Sequence, residues 1–392
     1  MKRARWLSAL GLIASIAVSD IALARIKLIT LPARERVEIK LESPAGTLVE
    51  EERLVPLVRG SNQIDFSWAN SQIDPGSLVF QIEAENGAAQ VLSVSYPPNE
   101  NALVWHVSAS EAGPARVRIS YLLAQLKQTF NYRATADRDE RLLDFSQYVR
   151  LRNDAPETFG DSGIWLGRDQ RIERPIEGQQ TREVLVRRWP RIPVEKTYTA
   201  DLARFGWDDT KKQTLKIAMH YVLRNDRQSG LGERALPYGK ARIYQDDGRG
   251  GNAFLGEDWG QRTSTGDKMA LYLGQSRDVV VKRTVLSNRR ERIEGNLHNQ
   301  HIVLRYRIEN FKDEAVALKL REDLRSLASR FGVRAANGAV WELGPETSFP
   351  GRPDPELTDA GSVVMTAPLA SAPDGGDAAV NFDLHIVFKN NW

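Results

Sequence analysis

No cysteine occurs anywhere in the 392 residues. That absence removes thiol nucleophiles, Cys-based zinc sites and iron–sulfur clusters, and it removes disulfides as a source of stability. A chain without such staples must hold itself together by burial, and this one is long enough to do so. An excess of one charge is missing too. Lys and Arg number 54 against 51 Asp and Glu, a net +3 that falls to +1 without residues 1–24, which carry three basic groups and one acid. Such balance argues against a general grip on nucleic acid, which needs a basic face. Beyond residue 24 no apolar run approaches the ~20 residues of a spanning helix, so no transmembrane segment is expected after the leader. Helical periodicity is almost absent, and only 321–331 reads as a short helix.

The first 24 residues have a different texture. Lys2, Arg3 and Arg5 form a basic head, Trp6 to Val18 is an apolar run, and Ala22-Leu23-Ala24 supplies the small residues a signal peptidase requires. This predicts a cleaved signal peptide over 1–24 and an exported protein, periplasmic or extracellular.

Elsewhere the dominant period is two. Val37, Ile39 and Leu41 alternate with Glu38 and Lys40, and Ile302, Leu304, Tyr306 and Ile308 alternate with Val303, Arg305, Arg307 and Glu309. Alternation of this kind turns one set of side chains to a core and the other to water, as in antiparallel sheets. The predicted class is mainly β, with tandem antiparallel β-sandwich-like domains and few short helices. The expected divisions are an N-terminal β domain over 25–105, a middle sandwich over 106–205 and a C-terminal β domain over 206–392. Seams are placed near Tyr96-Pro97-Pro98-Asn99 and between Pro190 and Lys212. Asn310 to Glu314 reads as the turn of a hairpin, and Gly344 to Gly376 as a long loop before the last strand.

Several residue groups invite chemistry. Gly160-Asp161-Ser162-Gly163 matches the letters around a serine-protease nucleophile, but no base or orienting carboxylate accompanies it, and a glycine-rich turn explains it. His298 and His301 have a spacing that serves a metal on a helix or loop; on a strand they point to opposite faces. Asp246 and Asp247, in a run ending Gly250-Gly251-Asn252, offer oxygens for a divalent cation, yet they match a hairpin turn better. No cofactor is therefore expected, a divalent cation being the remote exception. Phe254 and Trp259, with Glu257 and Asp258 beside them, are the residues most suited to binding a partner.

Between Asn225 and Thr284 the chain carries Gly230-Leu231-Gly232, Leu236-Pro237, Gly239-Lys240, Arg242-Ile243-Tyr244, Leu255-Gly256-Glu257-Asp258, Thr265-Gly266-Asp267, Leu273-Gly274 and Asp278-Val279-Val280, in that order. Together with Tyr148 to Asn153, Trp165-Leu166-Gly167 and Tyr306 to Asn310, this resembles the bacterial family called domain of unknown function 4139, from about Leu103 to the C-terminus. The resemblance implies a β-rich exported protein and brings no catalytic residues with it. The functional expectation is a non-catalytic binding or structural protein of the envelope or outside, with an envelope macromolecule or protein as partner. The alternative is a carboxylate- or metal-dependent hydrolase of an envelope polymer or ester using acids around 246–258, and a ligand carrier using a sandwich interior is a third reading.

Overall fold

The structure is a computed structural model that describes residues 27–41, 46–68, 71–83, 88–167, 170–202, 212–333, 340–371 and 379–392. The expected signal peptide lies outside the described residues. Strand makes up 65% and helix 3%, so the fold is mainly β, as the alternation requires. Among the described residues no helix is long and apolar enough to cross a membrane. The chain forms two compact units, Met1–Gln128 with Leu151–Arg182, and Thr129–Arg150 with Glu183–Trp392.

The first unit pairs two sheets. One has four strands in the order Lys27–Thr30, Gly60–Ser67, Ala102–Ala109, Ala89–Ser95; the other has six, in the order Arg171–Ile176, Phe159–Trp165, Arg36–Lys40, Thr47–Leu57, Gly113–Leu123, Val79–Glu83. Aromatic side chains join them. Phe80 of one sheet stacks on Trp105 of the other with centroids 4.3 Å apart, and Phe66 meets Tyr121 at 5.9 Å. The expected segments 25–105 and 106–205 both contribute strands to the six-stranded sheet, and Tyr96–Asn99 lies in the connection between two paired strands, Ala89–Ser95 and Ala102–Ala109.

In the second unit there are three five-stranded sheets. The first runs Gln180–Pro193, Leu142–Asn153, Leu126–Ala136, Gly239–Asp246, Asn252–Gly260; the second Lys268–Gln275, Ile217–Arg224, Glu195–Asp201, Val316–Asp323, Ser362–Leu369; the third Lys212–Leu215, Val279–Glu294, Leu297–Asn310, Val380–Asn391, Trp341–Leu343. Tyr132, Phe145 and Ile243 of the first sheet pack on Tyr221, Leu223 and Leu271 of the second. Leu304, Tyr306 and Ile308 of the third pack on Leu318 and Leu320 of the second.

Three expectations are corrected. The strands on either side of Asn310–Glu314 do not pair; Leu297–Asn310 and Val316–Asp323 belong to different sheets, so the connection is an arch over a shared core. Asn310 Nδ2 holds that corner by donating to the carbonyls of Glu314 (2.9 Å) and Ala370 (2.8 Å). An arch and a hairpin bury the same alternating positions, so the period cannot tell them apart. The stretch 344–376 is not all loop: Ser362–Leu369 forms a strand against Val316–Asp323, its Val-Val-Met core masked by flanking Gly, Pro and Asp. The helix is Leu324–Arg330 rather than 321–331. Arg321 to Asp323 finish a strand, and the Asp323 carboxylate accepts from Arg325 N (3.0 Å) and Ser326 N (3.2 Å) as the helix cap.

The buried carboxylates Glu38 and Glu322 are each met by donors. Glu38, 8% exposed, accepts from Trp165 Nε1 (2.6 Å), Arg171 Nη2 (2.8 Å) and Arg36 Nη2 (2.8 Å). Gly163 makes the room, since a Cβ there would lie 2.3 Å from Arg171 and 2.4 Å from Glu38. Burial alone would raise the Glu38 pKa, but the donors outweigh it and lower it to about 2. In the second unit Arg283 (2% exposed) donates to Glu322 (1% exposed) at 2.8 Å, bridging the second and third sheets, and the Tyr306 hydroxyl donates to the same carboxylate.

Each network has an expected signature. Because the folded Glu38 titrates below its unfolded value, its contribution of roughly 2–3 kcal/mol is full above the ordinary carboxylate range and is lost as pH falls toward about 2. Denaturant titration across that window should show wild type losing this increment and Glu38→Gln lacking it throughout. Arg283→Met strands a buried carboxylate and should cost about 3–5 kcal/mol, whereas Arg283→Met with Glu322→Leu should recover most of it in the same titration.

Candidate functional site

Strands Gly239–Asp246 and Asn252–Gly260 turn Ala241, Ile243 and Leu255 to the core and a contrasting row outward. Cross-strand partners on the outer side are Lys240 with Trp259, Arg242 with Glu257, Tyr244 with Phe254 and Asp246 with Asn252. Strict alternation would put Phe254 on the opposite face from Glu257 and Trp259. A bulge between Ile243 and Tyr244 in the register absorbs one residue and returns Phe254 to their side. The Asp246–Asn252 connection is the tight turn the sequence suggests, with Gly248 at φ +70 and Gly250 at φ +83.

On this face aromatic rings and cations alternate. Tyr238 stacks on Trp259 with centroids 5.2 Å apart and planes 3° from parallel, and Lys240 Nζ lies 5.3 Å above the Trp259 ring. Arg133, from the neighbouring strand, sits 5.3 Å over Tyr244, which in turn meets Phe254 at 5.4 Å. Phe254, Tyr238 and Trp259 stay 58, 53 and 48% exposed, far more than their size favours without a partner. Lys240 donates to Glu257 at 2.8 Å, and that hydrogen bond holds the Glu257 carboxyl below its usual range.

Deeper on the same face lies a groove of about 520 Å³ lined by Arg133, Asp144, Tyr148, Leu185, Arg188 and Asp246, among others. Asp144 accepts from Arg188 Nη2 at 2.9 Å and from Arg191 N at 3.1 Å, and the Arg188 hydrogen bond keeps its pKa below normal. Asp246 accepts from Gly248 N at 2.8 Å.

The expected site residues divide accordingly. Phe254, Trp259, Glu257 and Asp246 come together on one face. Asp258 points the other way, where its carboxylate accepts from Tyr272 N at 2.7 Å. Asp247 folds into its own turn, accepting from Arg249 N (2.8 Å) and Gly251 N (2.9 Å). His298 and His301 do not converge. His298 contacts Asn296 O and Asn391 Nδ2, while His301 joins His385 and Glu291. Ser162 Oγ donates to Gly160 O at 2.9 Å, and His106 is engaged with Ser95.

The His301–His385 pair is invisible in sequence because it joins distant strands. Glu346 N donates to His385 Nδ1 (3.3 Å), so neutral His385 carries its proton on Nε2 and donates to His301 Nδ1 (3.0 Å), leaving His301 Nε2–H for Glu291 (2.9 Å). Burial lowers the His385 pKa, with Glu346 opposing and His301 and Arg289 adding to the fall, which favours neutral His385. All four ring nitrogens are thereby engaged. Among the described residues no group of three or more His, Asp or Glu side chains is arranged to hold a metal.

Sequence reasoning missed Tyr238, Tyr244, Arg133 and Arg188. Tyr244 was reachable, being two and four residues from the outward Arg242 and Lys240; Arg133 was not, because its parallel pairing with this hairpin spans a hundred residues of chain. Set against protein-family models and curated proteins, the chain matches none.

Because Phe254 and Trp259 face solvent, Phe254→Ala and Trp259→Ala should each shift unfolding free energy by less than about 1 kcal/mol in chemical denaturation, the behaviour of surface rather than core positions.

Proposed function

We propose that this is an exported, non-catalytic binding protein that holds an envelope macromolecule against the outer face of the Gly239–Asp246 and Asn252–Gly260 hairpin. The observation that carries this reading is the row Tyr238, Trp259 and Phe254, exposed, with the half-buried Tyr244 beside them, interleaved with Lys240, Arg242 and Arg133. Large rings held flat on a rigid sheet give contact area with little conformational entropy to lose. Lys240 and Arg242 share the Glu257 carboxylate, so part of the positive charge is already answered, which suits a partner of mixed polarity better than a bare polyanion. The carboxylates of this face favour binding over hydrolysis. Asp144 and Glu257 are held ionised by Arg188 and Lys240, and general acid catalysis needs one carboxyl raised instead. Membership of the family called domain of unknown function 4139 belongs to the same proposal, resting on the motif blocks between Asn225 and Thr284.

Sedimentation of the purified chain with the isolated envelope of the cells that make it tests the reading. Wild type should pellet with the envelope, and the double variant Phe254→Ala, Trp259→Ala should fall to roughly a tenth of that, as loss of two aromatic anchors implies. Equal pelleting of the two, or no pelleting of wild type, overturns it.

A further inference from the structure

We propose that two copies of this chain join through the free edge of strand Ala89–Ser95, paired antiparallel across a two-fold axis. This strand ends the four-stranded sheet of the first unit. Ala102–Ala109 holds one side of it, and among the described residues no strand or loop pairs with the other. An open edge presents a row of backbone N–H and C=O groups ready to take another strand.

The other edge strands are blunted. Lys27–Thr30, Lys212–Leu215 and Trp341–Leu343 are very short, and Val79–Glu83 is little longer and ends in a carboxylate. Arg171–Ile176 and Gln180–Pro193 carry arginine, glutamate and proline. Asn252–Gly260 carries Glu257 and Asp258, and Lys268–Gln275 begins on Lys268. Ser362–Leu369 is uncharged but covered, since Asp354 N donates to Val364 O (2.8 Å) and Val364 N to Thr358 Oγ1 (3.2 Å). Ala89–Ser95 has seven residues with neither charge nor proline. Its one irregularity is a bulge between Val91 and Ser93, and the residue there is an apolar Leu92, 60% exposed, where a charge would repel a neighbour.

The core side of this edge lacks cover. Val91 and Val94 stand opposite the buried Val107 and Trp105 and share their side of the sheet, yet they remain 40 and 42% exposed. Phe80 and Ile82, core-facing on the last strand of the facing sheet, are only half-buried. A second copy supplies what is missing. With the two-fold axis normal to the sheet, the core sides of both copies lie together, so the two Val91 and Val94 pairs extend one apolar surface. Charge selects the same occupant. Self-pairing of an uncharged strand opposes no like charges, whereas a charged partner strand finds no counterion along this edge. A strand of seven residues spans about 23 Å, so the interface lies at the weak end of specific association and the dimer is reversible.

Sedimentation velocity of the purified chain from about 1 to 300 μM tests the pairing, a range suited to a small interface. Wild type should pass from monomer to dimer as concentration rises. Leu92→Lys should weaken the dimer by about tenfold or more and leave the melting temperature unchanged, because the side chain is exposed. Since the chain has no cysteine, Ala89→Cys through Ser95→Cys, made one at a time, then report the register. Under mild oxidation a disulfide should form fastest at the residue nearest the axis and more slowly toward both strand ends, since the bond needs Cα atoms about 4.4–6.8 Å apart. Phe311→Cys, exposed on the second unit, gives the rate of chance collision. A monomer at every concentration, with or without another protein's strand on this edge, overturns the proposal. So does a dimer that survives Leu92→Lys, or cross-linking no faster along this strand than at Phe311→Cys.

Discussion

The fold rests on charges that are buried and answered by name. In the second unit Glu322 and Arg283 reach each other from facing sheets in an interior made mostly of Leu, Ile, Val and Phe, with Ala, Met and Tyr among them. In the first, Glu51 points into the sandwich and is matched by Arg34 and Arg53. A buried ion without its counterpart is far more costly than an apolar residue in its place, so such pairs penalise any register that separates them. A one-residue slip of Val316–Asp323 would turn Glu322 outward with the whole apolar row, and both errors would fall together. Without disulfides, selection of the correct sheet pairing falls to these ion pairs and to the pattern that surrounds them.

How much of this was legible in the sequence depends on the distance over which each feature is decided. Strands set by side-chain alternation were readable: Arg36–Lys40, Leu297–Asn310 and Val316–Asp323 all lie where the period of two puts them. Which strands share a sheet was not, because Asn310–Glu314 can arch or reverse with the same buried positions. The hairpin at Asp246–Asn252 was readable for the opposite reason, since Gly248 and Gly250 adopt positive φ and Asp246 and Asp247 cap the turn locally. The candidate face was half legible. Its aromatic residues stand out in sequence, but the bulge that brings Phe254 beside Glu257 and Trp259, and the parallel strand that delivers Arg133, are products of pairing.

The motif blocks between Asn225 and Thr284 acquire a physical meaning here. Asn225 is fully buried; its Nδ2 donates to the carbonyls of Arg234 (2.9 Å), Thr263 (3.1 Å) and Ser264 (3.1 Å), and its Oδ1 accepts from Gly232 N at 2.8 Å. Gly232 sits at φ +80 with no space for a Cβ, which would lie 2.3 Å from the Asp226 carbonyl carbon. Gly266 N donates to Asn225 O at 2.7 Å, closing the knot from the other loop. Asn225, Gly232 and Gly266 fix where the chain enters Gly239–Asp246, and so where the outer face stands. A signature of this kind describes a scaffold, and the scaffold leaves function to what its wet faces display.

The outer hairpin face sets the Trp259 ring beside an ammonium group, Lys240, already paired with a carboxylate, Glu257. Paired charges give up long-range attraction, and with it the steering that a polyanion or polycation would exploit. In exchange they present donors and acceptors at fixed positions that need no counterion and little rearrangement on binding. Cross-strand ion pairs such as Arg118–Glu52, Arg150–Glu183, Lys240–Glu257 and Arg305–Asp383 go with the small net charge of +3 over the whole chain. The proposed binding would rest on shape, ring contact and short hydrogen bonds, the chemistry of partners of mixed polarity.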